Sequence, residues 1–331
     1  MQKRGIMVDL DIKDRKILYQ LDLNCRQSNK QIGRKVALSR QVVEYRIKKM
    51  EEEKVINNYY TVIDAYKLGL MLYRYYINLQ TVSKKKKQEI IDHFINYKKI
   101  STISTAKGLY DLIVVFWVDD ISDFYEFWKK SLEKYGSIFS DRFFSLYIHG
   151  RGYPLNFLLF NDTDTVKPIK VDSFGIIKNI TIDEIDYKLL NQISLNARIT
   201  SVDLSNILGC SSQNVVYRMD KLEKNGLIQS YRTAIDFSIL GYYLFKVNII
   251  LKDYSKRMQI IKQFEQSPFV NYFSASFGLC DLEFEFIVRD ADHLIDIIDK
   301  ISDKYPDAIR NYDYYSDIKN YKETFLPELN D

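Results

Sequence analysis

The feature that most constrains this chain is that it repeats itself. Displaced by 172 positions, residues 11–72 lie over 183–244 without a gap, and 23 of the 62 positions are identical. Average residue usage gives about one match in fifteen, so chance does not account for the agreement. Shared residues include Asp11/Asp183, Asp14/Asp186, Asn24/Asn196, Arg26/Arg198, Ser39/Ser211, Tyr45/Tyr217, Arg46/Arg218, Asp64/Asp236 and Gly69/Gly241. Farther along, at an offset of 170, Gly108-Leu-Tyr-Asp111 meets Gly278-Leu-Cys-Asp281. A period this long is a duplicated multi-element unit and not a solenoid repeat, whose periods run to about 45 residues.

Each unit reads as two parts. Apolar residues at helical spacing predict helices over 13–23, 30–36 and 40–53, and Ser39 is a good N-cap for the third. A strand over 59–63 follows, and the second unit gives the same series at 186–195, 201–208, 212–224 and 231–235. Three short helices with a tight turn before the last, then a strand, predict a winged helix-turn-helix. The rest of each unit alternates in the order strand-helix-strand-strand-helix-strand, with strands at 73–81, 100–106, 112–118 and 142–148. That order predicts a ferredoxin-like domain, so the fold class is α+β with two tandem units. The expected boundaries are 9–64 and 181–236 for the helix-turn-helix parts, 65–154 and 237–328 for the ferredoxin-like parts, and 155–180 for a linker. Within the linker the apolar piece 157–160 is expected to add an edge strand.

Composition excludes several classes. At 46% hydrophobic and 28% charged, with 12 Gly and 5 Pro, the chain reads as globular. The longest apolar run, Leu112–Val118, is too short to cross a bilayer, and the basic start leads into no apolar stretch. A soluble cytoplasmic protein without a membrane partner is expected. Cys25, Cys210 and Cys280 are far apart and form no paired spacing, which argues against a disulfide framework or zinc finger. No metal or other cofactor is called for.

These residues resemble the Lrp/AsnC family, the feast/famine transcription regulators, present twice in one chain. The first unit carries the resemblance through Leu10-Asp11, Asp14, Ile17-Leu18, Asn24-Cys25-Arg26, Ser39, Arg46-Ile47, Met50-Glu51 and Val55-Ile56, with Asp64 and Gly69 at the hinge. The second carries it through Asn196-Ala197-Arg198, Arg218-Met219, Leu222-Glu223 and Gly226-Leu227-Ile228. The resemblance implies binding to double-stranded DNA, a small-molecule effector such as an amino acid, and self-association through the ferredoxin-like domains. In a duplicated chain those two domains are expected to form an internal pseudo-dimer. One departure is Lys54, which stands where the second unit has Gly226; a differently shaped helix end is expected there.

On the third helix Val43, Ile47 and Met50 must face the core, leaving Arg40, Gln41, Glu44, Tyr45 and Lys48 on the other side after the Ser39 cap. Such a face fits the major groove, where Arg reads guanine and Gln adenine, with Lys30, Arg34 and Lys35 flanking it. The second unit's counterparts are Ser211, Ser212, Gln213 and Tyr217, but Lys48 becomes Asp220. Residues 9–60 hold 12 Lys/Arg against 8 Asp/Glu, whereas 181–232 hold 6 against 6. Phosphate neutralisation supplies most non-specific affinity, so the first helix-turn-helix is expected to be the stronger DNA reader.

In the family, the Gly-x-x-Asp loop lines the effector site. The resemblance therefore implies effector contacts at Gly108, Tyr110, Asp111, Gly278 and Asp281, although Gly and Asp are also ordinary turn residues. With Cys280 in place of Tyr110, the two sites would differ. Siroheme decarboxylases share the two-part architecture and supply a rival enzyme reading, but their His-Asn-Tyr motif occurs nowhere in this chain. A ligand sensor without DNA binding is the remaining alternative.

Overall fold

A computed structural model of the chain describes residues 7–167, 171–175, 180–324 and 326. Pro168, part of the expected linker and the expected domain end at 328 lie outside the described residues. The first unit runs α1 (Ile12–Leu23), α2 (Asn29–Val36), α3 (Arg40–Glu52), β1 (Ile56–Ile63), β2 (Met71–Leu79), α4 (Lys84–Ile95), β3 (Ile100–Lys107), β4 (Leu112–Val118), α5 (Ile121–Tyr135) and β5 (Phe139–Gly152). A short strand β6 (Asp172–Phe174) precedes the second unit. That unit runs α6 (Glu184–Leu195), α7 (Ser201–Leu208), α8 (Ser212–Lys224), β7 (Ile228–Ile235), β8 (Tyr243–Leu251), α9 (Arg257–Glu265), β9 (Val270–Phe277), β10 (Leu282–Val288), α10 (Ala291–Lys304) and β11 (Ile309–Glu323). Side-chain caps set the helix starts: Asp11 accepts from the Lys13 and Asp14 N–H groups, Ser39 from Val42, and Ser211 from Asn214.

The two helical heads do not stand apart. β1 pairs antiparallel with β7 of the other unit, with Tyr60 opposite Arg232, Tyr59 opposite Thr233 and Thr61 opposite Tyr231. Because residue n of the first unit corresponds to n + 172 of the second, Tyr60 and Arg232 are equivalents, and a pseudo-two-fold axis passes between them. The ribbon packs under α1 and α6, and one continuous apolar core joins Ile17, Leu18 and Ile47 to Leu189, Leu190 and Met219.

Below the heads, the remaining strands close into a ring in the order β2-β4-β3-β11-β8-β10-β9-β5, and β5 returns to β2. Each half contributes a four-stranded ferredoxin-like sheet. The last strand of each half is long enough to serve both: β5 pairs with β2 over 139–147 and with β9 over 146–152. β11 does the same with β8 and β3. At about 3.3 Å per residue such a strand outruns its own sheet, and its second half pairs with a strand of the other unit. The outer face of the first sheet (Tyr75, Ile77, Leu112, Val114, Phe116) is covered by Ile90, Phe94, Phe124 and Phe127 from α4 and α5. The inner faces line a barrel.

Three expectations differ in detail. Residues 156–158 form a 3-10 turn buried against α1 and not an edge strand; Tyr19 donates to Asn156 at 3.1 Å, and the Leu155 N–H donates to Asp22 at 2.9 Å. The edge strand is Asp172–Phe174, on β5. The strands expected at 142–148 and 310–315 extend well beyond those limits. Lys54 adopts the left-handed conformation, φ 61°, much as Gly226 does at 73°, so the two helix ends share a shape despite the added Cβ.

Candidate functional site

The heads present α3 and α8 as expected. Val43, Ile47 and Met50 are buried, and Lys30, Arg34, Lys35, Ser39, Arg40, Gln41, Glu44, Tyr45 and Lys48 are all exposed. Arg40 pairs loosely with Glu44 at 3.9 Å, and Lys35 donates to Gln27 at 2.6 Å. Exposed ion pairs of this kind are worth little and yield readily to a phosphate. Arg46 instead supports the scaffold, bonding Asp11 and Asp14, each at 2.7 Å, and so tying α3 to the start of α1. Arg218 repeats this with Asp183 and Asp186.

The second head keeps that scaffold but changes its face. Ser211, Gln213 and Tyr217 are exposed, whereas Ser212 is half-buried and donates to Ser205 at 3.2 Å. Where the first head has Lys30, Lys35 and Glu44, the second has Val202, Ile207 and Val216, exposed by 58%, 54% and 47%. A charged rim has become apolar, and Lys48 has become an exposed Asp220.

The two Gly-x-x-Asp loops lie at the end of the barrel away from the heads. In each, the Asp carboxylate holds the frame of the neighbouring strand: the Leu79 N–H donates to Asp111 at 3.0 Å, and the Leu251 N–H to Asp281 at 2.7 Å. Lys87 also reaches Asp111 at 3.1 Å. Gly108 and Gly278 have φ of 119° and 124°, and a Cβ on Gly278 would meet the Phe144 carbonyl at 2.3 Å. Tyr110 is buried against Tyr76 and Tyr315, closing this end of the barrel. Beside the second loop a pocket of about 550 Å³ is lined by His149, Tyr254, Arg257, Phe277, Cys280 and Asp281.

Sequence reasoning missed the barrel interior. At its head-facing mouth a cavity of about 380 Å³ is lined by residues from every strand of the ring, roofed by Tyr60 and Arg232 of the ribbon. Arg74 crosses the lumen to pair with Glu283 and lies over the Tyr147 ring at 4.8 Å from its centroid. Lys246 stands 3.5 Å from Glu285. Arg232 is held by Asp22 at 3.2 Å and Asp172 at 2.8 Å. The signal was present in Leu-Glu-Phe-Glu-Phe at 282–286, whose alternation puts both Glu residues on one face. Such a face normally meets water.

No histidine lines this cavity, and burial pushes the Cys25 and Cys280 thiols up to about 12, far from a reactive thiolate. Among the described residues no group of three His, Cys, Asp or Glu side chains is placed to hold a metal ion, and no helix is long and apolar enough to cross a membrane.

Residues 10–57 and 182–229 each match the winged helix-turn-helix DNA-binding family. An uncharacterized HTH-type transcriptional regulator of Pyrococcus furiosus is 31% identical over 147 residues, covering 43% of this chain and 95% of that protein. The leucine-responsive regulatory protein of Rhizobium meliloti is 36% identical over 69 residues, 21% of this chain and 44% of that protein. Among solved structures, the siroheme decarboxylase NirDL aligns with a TM-score of 0.60 at 11% identity, over 94% of this chain and 93% of its own. At that identity the likeness is one of fold.

Proposed function

The chain belongs to the Lrp/AsnC family of helix-turn-helix transcription regulators, with the family's unit present twice, and from that premise we propose that it grips double-stranded DNA chiefly through its first head and answers to a small molecule. The observation that carries the asymmetry is the contrast between equivalent faces on one scaffold: Lys30, Lys35 and Lys48 against Val202, Ile207 and Asp220. Arg40, Gln41 and Tyr45 read bases, while Lys30, Arg34, Lys35, Lys48 and the N–H groups after Ser39 hold phosphates. Glu44 selects against guanine and for the cytosine amino group. Ser211, Ser212, Gln213 and Tyr217 make the weaker contacts of the second head.

The effector, an amino acid in this reading, is taken at the Gly-x-x-Asp loops: Asp111 or Asp281 accepts its ammonium group, and backbone groups bared by Gly108 or Gly278 take its carboxylate. Tyr110 shapes the first site. The pocket of His149 and Arg257 beside the second loop supports this placement. The two ferredoxin-like domains pair within one chain, and further copies associate through the same domains.

The test is a titration against the DNA upstream of the protein's own coding sequence and against a scrambled duplex, at two salt concentrations. Preferential binding that weakens with salt supports the regulator; no binding to either duplex at low salt overturns it. The full-length fold likeness to a siroheme decarboxylase favours an enzyme as the second reading, checked by the absorbance change on adding an iron tetrapyrrole.

A further inference from the structure

A homodimer places identical residues on both sides of its two-fold axis. Here the axis passes between Tyr60 and Arg232 and runs down into the barrel mouth, so the cavity beneath them straddles it. Several paired lining positions have diverged: Ser101 corresponds to Asn271, Thr102 to Tyr272, and Val115 to Glu285, while Arg74 and Lys246 keep a cation and Leu72 and Leu244 are identical. Duplication has turned a symmetric space into one with two unlike walls.

The wall from the second unit is polar. Lys246 and Glu285 lie 3.5 Å apart with side chains 16% exposed, and Asn271 donates to the other Glu285 oxygen at 3.2 Å. The wall from the first unit sets Leu72, Val115 and Trp117 beside Arg74, Ser101 and Thr102. Trp117 is 7% exposed, and its indole N–H has no acceptor among the described residues. A buried donor without a partner calls for an acceptor on whatever fills the space. Arg74 pairs with Glu283 below, and Arg232 with Asp22 and Asp172 above. Lys246 and Glu285 form the ion pair that stands at the wall, and a cavity of about 380 Å³ lies within the range of small-molecule sites.

We propose that the head-facing mouth of the barrel binds one aromatic zwitterion on the pseudo-two-fold axis, its ammonium group on Glu285, its carboxylate on Lys246, and a ring acceptor on the Trp117 indole N–H. This site is separate from the Gly-x-x-Asp loops and does not rest on DNA binding.

The probes are L-tyrosine, tyramine and 3-(4-hydroxyphenyl)propionate, titrated without DNA. The readout is Trp117 fluorescence, isolated in a Trp128→Phe background because the chain holds 2 Trp. L-Tyrosine is expected to give a saturable change and to bind about tenfold more tightly than either single-charge probe. Lys246→Met should erase the advantage over tyramine, and Glu285→Gln the advantage over the propionate. Thr102→Tyr leaves both charged residues in place, fills the cavity and should abolish the response, which keeps the test decisive where a charge variant fails to fold. No saturable change with any probe, or an L-tyrosine response unaltered by Thr102→Tyr, overturns the proposal.

Discussion

The Cys25 N–H donates to the Tyr231 carbonyl at 2.9 Å, across the boundary between the two units. Its equivalent, the Ala197 N–H to the Tyr59 carbonyl, has the same length. Arg26 lies over Tyr231 and Arg198 over Tyr59, with centroid distances of 5.4 and 5.0 Å. The turn after the first helix of each head is thus held by the ribbon strand of the other. The heads form one platform joined through the ribbon.

Charge reversal separates the two heads. The pair Arg40→Glu and Lys48→Glu should weaken DNA binding by about a hundredfold at low salt and lower the salt slope by about 1, for the phosphate contact of Lys48. Ser212→Ala with Gln213→Ala should cost far less. Fluorescence anisotropy with a labelled duplex checks this, and equal losses from both pairs would refute the stronger first head.

Lys54 holds a left-handed conformation that its second-unit counterpart, Gly226, meets without a Cβ. Lys54→Gly should therefore raise stability by about 0.5–1 kcal/mol, and Gly226→Lys should lower it by at least as much. Urea unfolding midpoints at constant m-value report both.

Gly278 and Gly108 share a backbone conformation but not their surroundings. A Cβ at 278 meets the Phe144 carbonyl at 2.3 Å, whereas at 108 its nearest neighbour is the Tyr314 carbonyl at 3.1 Å. Gly278→Ala should cost about 2 kcal/mol or more, and Gly108→Ala less. Thermal melting of the two variants side by side decides it.

Asp64 sits at the hinge between head and barrel, 1% exposed, with one carboxylate oxygen lacking a partner among the described residues. Burial raises its pKa to about 6. The folded chain therefore holds a proton that the unfolded chain releases, and this group's contribution to stability falls as pH rises from the ordinary carboxylate range, about 4, toward 6. Asp64→Asn removes the titration. Its stability relative to wild type should climb by about 2–3 kcal/mol across that window and level off above it, as denaturant unfolding at a series of pH values will show.

Much of this architecture was legible in the chain itself. The 172-residue offset announced two units, and the apolar periodicity with Ser39 and Ser211 as caps located the third helix of each head to within a residue or so. Those signals are local: a cap acts over three residues and an amphipathic face over two turns, so sequence spacing reports them directly. The edge strand misplaced at 157–160 shows the limit, because Phe157 and Leu158 are apolar for packing on α1 and not for pairing.

By itself, then, the sequence determined the duplication, the helical heads, the strand-helix order and the loss of basic charge from the second head, since each is written in neighbouring residues. Only the tertiary structure decided that β5 and β11 pass from one sheet into the other and close a barrel. Closure changes the meaning of the residues it encloses. Arg74, Lys246, Glu283 and Glu285 alternate with apolar neighbours as solvent-facing strand residues do, and they become interior only because the face opposite belongs to the other half of the same chain.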